Sequence, residues 1–378
     1  MGVKKLKKNK VGILTYTNTT NYGAILQCIA LKNIVSRMNY DCDVINYTCK
    51  AVAKRERILF NGSSKSLRQI IKTIILLPIK IIRKIKIYNF IKNNYVTTNE
   101  KYNRDNISQI NTIYNHIIVG SDQIWNPVLN GYDKSYILDF AADKINKIAY
   151  AASVGNNKII PDNYDYFKNI ISRFDHISLR EKTTSDYINK TFKTNSDFVL
   201  DPTMLLSKEE WKQIIDNSNN NIKNNKKYIL LYFIHNGEKT FSIARKIADK
   251  LGYEILYLNN YGVPVKGVKN IFSITPYEFV NYIYNAELVI TGSFHGVAFS
   301  LDLNKQFMIE ISSSSSNAND RLLNLMTIFK LDNDIYKMNF DKIFDDDKTL
   351  LNYKFINQVL DKERKKSLDL LRRWLEGE

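Results

Sequence analysis

The sequence predicts an α/β protein of two domains with parallel sheets, facing each other across a cleft. Three observations carry this reading. At 378 residues the chain exceeds what one ordinary core supports. Short apolar runs alternate with segments of helical period, the pattern of parallel strands joined by crossover helices. That alternation ends near Pro202 and begins again at Tyr228.

A composition of 44% hydrophobic and 25% charged residues belongs to a globular chain and not to a disordered one. Three cysteines, Cys28, Cys42 and Cys49, provide neither a disulfide framework nor the spacing of a metal site. The basic start over residues 1–10 lacks the apolar core of a signal peptide, and no run reaches the length of a membrane span. A cytoplasmic location is therefore expected.

Taken in order, residues 11–16 form a first strand. A polar loop leads to Asn21-Tyr22-Gly23, and apolar positions 25, 26, 29, 30, 34 and 35 then fit a helix. Residues 43–47 are the next strand, completing a βαβ opening. Its loop holds one glycine, not the three of a dinucleotide fingerprint, so a nicotinamide cofactor is not expected.

Residues 50–105 then hold 14 Lys/Arg against 3 Asp/Glu, +11 of the chain's net +17. Within residues 66–92 apolar positions fall at helical spacing, and Pro78 is expected to kink or split the helix. The favoured reading is an inserted helical pair packing on the domain with its basic face in water. Peripheral association with an anionic membrane is the alternative. Nucleic acid is not expected as a partner, because no helix-turn-helix, zinc-finger or RNP pattern accompanies the charge.

Four more apolar runs end in polar residues. They lead into Gly120-Ser121-Asp122-Gln123, Ser153, Arg180-Glu181 and Asp201-Pro202-Thr203. With the first loop, five strand ends carry polar groups on what is expected to be one edge, where ligands of open α/β sheets bind. Asp201, before a proline, also reads as a helix-capping or turn residue.

The second set repeats the pattern. A low-complexity Asn/Lys stretch at 217–227 precedes a buried strand at 228–233, a helix over 241–251 and a strand at 254–257. A helix opening at Pro276 delivers the chain to Leu288-Val289-Ile290-Thr291-Gly292-Ser293-Phe294-His295-Gly296, a strand, turn and helix start. Ser293 and His295 thus stand at a strand's carboxyl end, beside helix N–H groups that favour an anion. A strand at 306–310, a serine loop at 312–316, a helix from Arg321 and a last helix over 361–375 complete the chain.

These landmarks resemble the polysaccharide pyruvyl transferase family. The resemblance is carried by Asn21-Tyr22-Gly23-Ala24-Ile25-Leu26-Gln27, Gly120-Ser121-Asp122-Gln123-Ile124-Trp125-Asn126, Ser178-Leu179-Arg180-Glu181, Asp201-Pro202-Thr203 and Ser293-Phe294-His295-Gly296, in the family's order. It implies two Rossmann-like domains in a GT-B-like fold, with residues 1–201 as an acceptor-side domain carrying the basic insertion at about 50–105. Residues 202–350 would be the donor side, and 351–378 a helix packing across the domains. The implied reaction moves a pyruvyl group from phosphoenolpyruvate to a sugar of a cell-surface polysaccharide or its precursor, forming a ketal. Its acceptor would be a sugar or a lipid-linked glycan.

The resemblance ties His295 to donor binding and catalysis. Other members carry arginine where this chain has Ser293, so Arg180 and Arg321 are the candidates to hold the donor's anionic groups, with Ser293 and Gly296. Asp122 is the candidate base. Asn21, Tyr22, Gln27, Ser121 and Gln123 are candidates for the acceptor side. No cofactor beyond the donor substrate and no metal ligand set is expected. Two alternatives stand beside this one: a GT-B glycosyltransferase using a nucleotide sugar, and a non-catalytic protein docking on membrane surfaces.

Overall fold

The computed structural model describes residues 9–57, 67–94, 97–156, 159–218, 226–233, 238–260, 262–311, 316–331 and 351–377. The chain divides into two compact units. The first comprises residues 1–56, 91–205 and 363–378, and the second 57–90 and 206–362.

The first unit is built on β1 (Lys10–Leu14), β2 (Asp41–Val44), β3 (His116–Asp122), β4 (Asn146–Ala152), β5 (His176–Leu179) and β6 (Asp197–Phe198). They lie in the order β2-β1-β3-β4-β5-β6, every neighbouring pair parallel. All seven residues of β3 are buried, which explains its unbroken apolar start: a central parallel strand is covered on both faces. Helix α1 (Tyr22–Arg37) crosses from β1 to β2. Trp125 anchors the core below the sheet edge, its indole N–H donating to the Tyr136 carbonyl at 3.1 Å.

The second unit repeats the principle with β7 (Tyr228–Tyr232), β8 (Glu254–Leu258), β9 (Lys269–Ile271), β10 (Leu288–Thr291) and β11 (Gln306–Ile309). Their order is β11-β10-β7-β8-β9, again all parallel. Its core joins Ile229 and Leu231 to Ile290, Met308 and the aromatic rings of Phe233, Phe241 and Tyr257.

Several expectations about the elements change. The basic segment forms one described helix, α2 (Leu67–Asn94), which continues through Pro78 without splitting. Pro78 is exposed, and its missing N–H removes one helical bond. Residues 57–90 belong to the second unit and not to the N-terminal domain, because Ile87 and Phe90 are buried there and Phe90 packs on Tyr277. The helix expected from Arg321 begins earlier, at Ser316, as α3 (Ser316–Ile328), while residues 312–315 of the serine loop lie outside the described residues.

The last helix, α4 (Tyr353–Glu376), begins before the 361–375 of the helical pattern and falls within the 351–378 that the resemblance implies. Its start bonds within the second unit, where Tyr353 donates to the Ser300 carbonyl at 3.1 Å. Its end bonds within the first, through Ser367 to Leu200 N–H at 3.0 Å and the Trp374 carbonyl to Asn146 at 2.7 Å. Among the described residues no helix is long and apolar enough to cross a membrane.

Candidate functional site

Parallel strands send all their following loops out at one edge, so the five polar strand ends of the first unit do meet. The strand order reverses between β1 and β3, and such a reversal is where an open sheet leaves room for a ligand. Gln27 on α1 bridges this junction. Its Oε1 accepts from Ser121 N–H at 3.0 Å, and its Nε2 donates to Thr15 Oγ1 at 3.1 Å and the Ala24 carbonyl at 2.9 Å. Ser121 Oγ lies 2.9 Å from Asp201 Oδ2 and 3.1 Å from the Ala151 carbonyl.

Asp201 in turn caps the short helix after it, accepting from Thr203 N–H at 3.0 Å, and takes a hydrogen bond from Arg180 Nη1 at 3.0 Å. Arg180 is the hub. Its Nε donates to Glu181 Oε1 at 3.4 Å, and its Nη2 lies 3.7 Å from Asp122 Oδ1. Burial works to lower its pKa, but Glu181, Asp201 and Asp122 together outweigh that and raise it. Ser153 completes the set, donating to Glu181 Oε1 at 2.7 Å.

Burial separates the candidate residues. Arg180 is only 1% exposed and its guanidinium faces three carboxylates. A lone buried cation needs such partners, and here it holds the loop ends together. Tyr22, Gln27 and Ser121 are buried as well, and Asn21 spends its side-chain oxygen capping α1 through Gly23 N–H and Ala24 N–H. Tyr22, Gln27 and Ser121 thus sit beneath the edge, while Asn21 is exposed at the start of α1.

Two residues differ. Gln123 is half-buried, its Oε1 accepting from Asn126 at 3.0 Å. Asp122 is the least buried of the three carboxylates, with a side chain 11% exposed against 5% for Glu181 and none for Asp201. Its Oδ1 accepts from Gln123 N–H at 2.8 Å.

The second unit has its own reversal, between β7 and β10. Thr291 spans it, its hydroxyl donating to the Tyr232 carbonyl at 2.7 Å and accepting from Ser293 N–H at 3.1 Å. The turn Gly292-Ser293 then opens helix α5 (Phe294–Asp302). Ser293 is the N-cap residue, but its side chain makes no capping bond, so the hydroxyl remains uncommitted to the helix start.

His295 lies in the first turn of α5, buried, with its ring edge-on to Phe294 at 5.2 Å. Gly296 has a steric reason: a Cβ there would lie 2.3 Å from Thr291 Oγ1, so only glycine lets the helix seat directly on the strand. Arg321 lies half-buried in α3.

Glu310, which the sequence reading passed over, joins this turn. Its N–H donates to the Thr291 carbonyl at 2.9 Å, and its Oε1 accepts from Thr240 at 2.8 Å. A Cβ at Gly292 would stand 3.8 Å from Glu310 Oε2, which puts the carboxylate alongside the turn. Burial raises its pKa above the usual carboxylate value, and the Thr240 hydrogen bond offsets part of that. The signal was available, since Glu310 ends an apolar strand as Asp122 does. Nothing local marks Thr240.

Each unit thus carries a polar cluster at its own reversal of strand order, and each cluster includes residues of the motifs named above. The sequence profile of the polysaccharide pyruvyl transferase family matches residues 21–314, a span that begins at the cap of α1. The chain belongs to that family. It is a family of transferases, and the non-catalytic alternative gives way to an enzyme.

Among curated proteins none matches the sequence. Solved structures resemble this pyruvyl transferase family member in fold alone. The S. aureus MnaA–UDP co-structure is 12% identical with a TM-score of 0.52, covering 97% of each chain. A putative UDP-N-acetylglucosamine 2-epimerase from Listeria monocytogenes is 12% identical with a TM-score of 0.53, covering 98% of each. The fold shared with them is GT-B.

Proposed function

We propose that this transferase moves a pyruvyl group from phosphoenolpyruvate onto two hydroxyls of one sugar, giving a ketal and inorganic phosphate. The single observation that carries the reading is His295 in the first turn of α5, at the reversal of strand order in the second unit. The reaction needs a proton on the donor's methylene carbon, an anion site for phosphate and carboxylate, and a polar group at the attacking hydroxyl. His295 supplies the proton, since imidazole transfers protons near neutral pH. The start of α5, with the uncapped Ser293 hydroxyl, takes the donor's anionic end. Glu310 stands beside that turn as a second proton-exchanging group.

The balance is simple. Two C–O bonds form at the donor's central carbon and its bond to the phosphate oxygen breaks. Of the two hydroxyl protons released, one equivalent appears on the new methyl group and the other on phosphate. Asp122, the most exposed carboxylate of the first unit's cluster, accepts the hydroxyl proton on the acceptor side. The acceptor is a sugar of a cell-surface polysaccharide or its precursor, free or lipid-linked, handled in the cytoplasm.

Thermal unfolding with and without phosphoenolpyruvate, beside a panel of nucleotide sugars, tests the donor. At about 100 times its Kd a ligand adds roughly 2.7 kcal/mol of stability. A shift with phosphoenolpyruvate alone supports pyruvyl transfer. A shift with a nucleotide sugar alone replaces it by glycosyl transfer.

A further inference from the structure

Helix α2 is held to the second unit by one face. Ile87 and Phe90 are buried, Phe90 meets the Tyr277 ring edge-on at 4.7 Å, and Lys86 pairs with Glu278 at 2.8 Å. Ser273 also donates to the Ile79 carbonyl at 3.3 Å. A surface helix so anchored ordinarily turns charged residues outward. This one does not: Ile74, Ile75, Ile82, Ile85 and Tyr88 are between 54% and 67% exposed. Of the thirteen large hydrophobic side chains exposed among the described residues, six lie on this helix, with Ile81 the sixth. Single exposed apolar residues need no explanation, but a continuous row of them does.

At 3.6 residues per turn, Ile74, Ile81, Ile85 and Tyr88 fall along one line, and Ile82 lies beside it. Exposed Lys80 and Lys84 border that stripe on one side, Lys86 borders it on the other, and exposed Lys92 follows its last turn. Residues 67–94 contain seven Lys/Arg and no Asp or Glu. An apolar stripe with a basic rim is the geometry of a helix lying in a membrane interface, its lysine stems stretching along apolar surface while the ammonium groups reach phosphate. The helix is not apolar enough to cross a bilayer.

We propose that the Ile74–Tyr88 face of α2 docks this enzyme on an anionic lipid bilayer. Charge selects this occupant: a second copy would bring its own basic rim against this one, while acidic headgroups neutralise the rim and acyl chains cover the isoleucines.

The test is flotation of the full-length chain with phosphatidylcholine vesicles, with and without phosphatidylglycerol. We expect binding to the anionic vesicles that weakens with added salt, and a loss of roughly tenfold or more for Ile82→Asp/Ile85→Asp. Lys80→Glu/Lys84→Glu should lose roughly tenfold while keeping the unfolding temperature. Hydrogen exchange on the unmutated chain provides a readout independent of variant folding, with vesicle-dependent protection centred on residues 74–92. The proposal is overturned if the wild type stays with the soluble fraction, or if neither double variant changes binding. Vesicle-independent self-association that Ile82→Asp/Ile85→Asp abolishes would also overturn it, giving the face to a second copy.

Discussion

The two polar clusters stand at equivalent places in their sheets, yet they are built to opposite ends. In the first unit Arg180, Asp201, Ser121, Gln27, Thr15 and Ser153 bond mainly to one another and to backbone, and almost all are fully buried. In the second, Thr291 ties the turn before Ser293 to the neighbouring strand, and Glu310 lies beside it with a raised pKa. A closely bonded network fixes a shape. A sparse turn at a helix start, with groups able to exchange protons, leaves capacity for a substrate. The motifs therefore divide between a closely bonded sheet edge and the turn at which we propose the chemistry.

The sharpest way to break this contrast is to empty the hub. Arg180→Ala leaves Glu181, Asp201 and Asp122 buried without their cation, and should cost about 3–5 kcal/mol in denaturant unfolding. A loss below about 1 kcal/mol, with phosphoenolpyruvate binding abolished, would show instead that Arg180 serves the donor.

Next comes the seating of α5. Gly296→Ala must push the helix off Thr291, at about 1–3 kcal/mol, and should weaken phosphoenolpyruvate binding together with stability. Unchanged stability would mean that the turn is more pliant than its contacts suggest.

A smaller effect separates Glu310 from the network carboxylates. Its folded pKa is raised, so its favourable share of stability is complete below the unfolded pKa of about 4.5 and is lost as pH rises through the folded value. Glu310→Gln, which keeps an acceptor for Thr240, should therefore be more stable than wild type at neutral pH and no better near pH 4. Chemical unfolding across that range checks it, and a variant less stable at neutral pH would contradict it.

The gentlest prediction concerns His116 and His176. Burial lowers both pKa values, with Asp175 pulling His176 partly back up. Each contributes stability that is present above the unfolded pKa of about 6.5 and lost as pH falls through the lower folded value. Mild acid should loosen the first unit beside α4, where Asn146 meets His116 and Trp374 stacks on His176. Hydrogen exchange in that region would report it.

Much of this was legible in the sequence. Strands such as β3 and β7 announce themselves by unbroken apolar runs, and the five polar strand ends meet because parallel connection leaves them no other place. What could not be read was which polar residues face inward. Arg180 looks like an anion-binding residue until Asp122 and Asp201, distant in the chain, are seen around it with the adjacent Glu181. The outward face of α2 was hidden for a related reason: helical spacing shows that one side is apolar, but only packing shows which side the protein uses. Glu310 escaped because its meaning depends on Thr240 and Gly292, set close only by the sheet.

The most direct test of the account is phosphate release from phosphoenolpyruvate, followed by 31P NMR with glycan acceptor fractions, for wild type and His295→Ala. The account predicts acceptor-dependent release by the wild type and a loss of roughly a hundredfold or more in the variant, with its fold retained. Release by His295→Ala within a few-fold of wild type would contradict it.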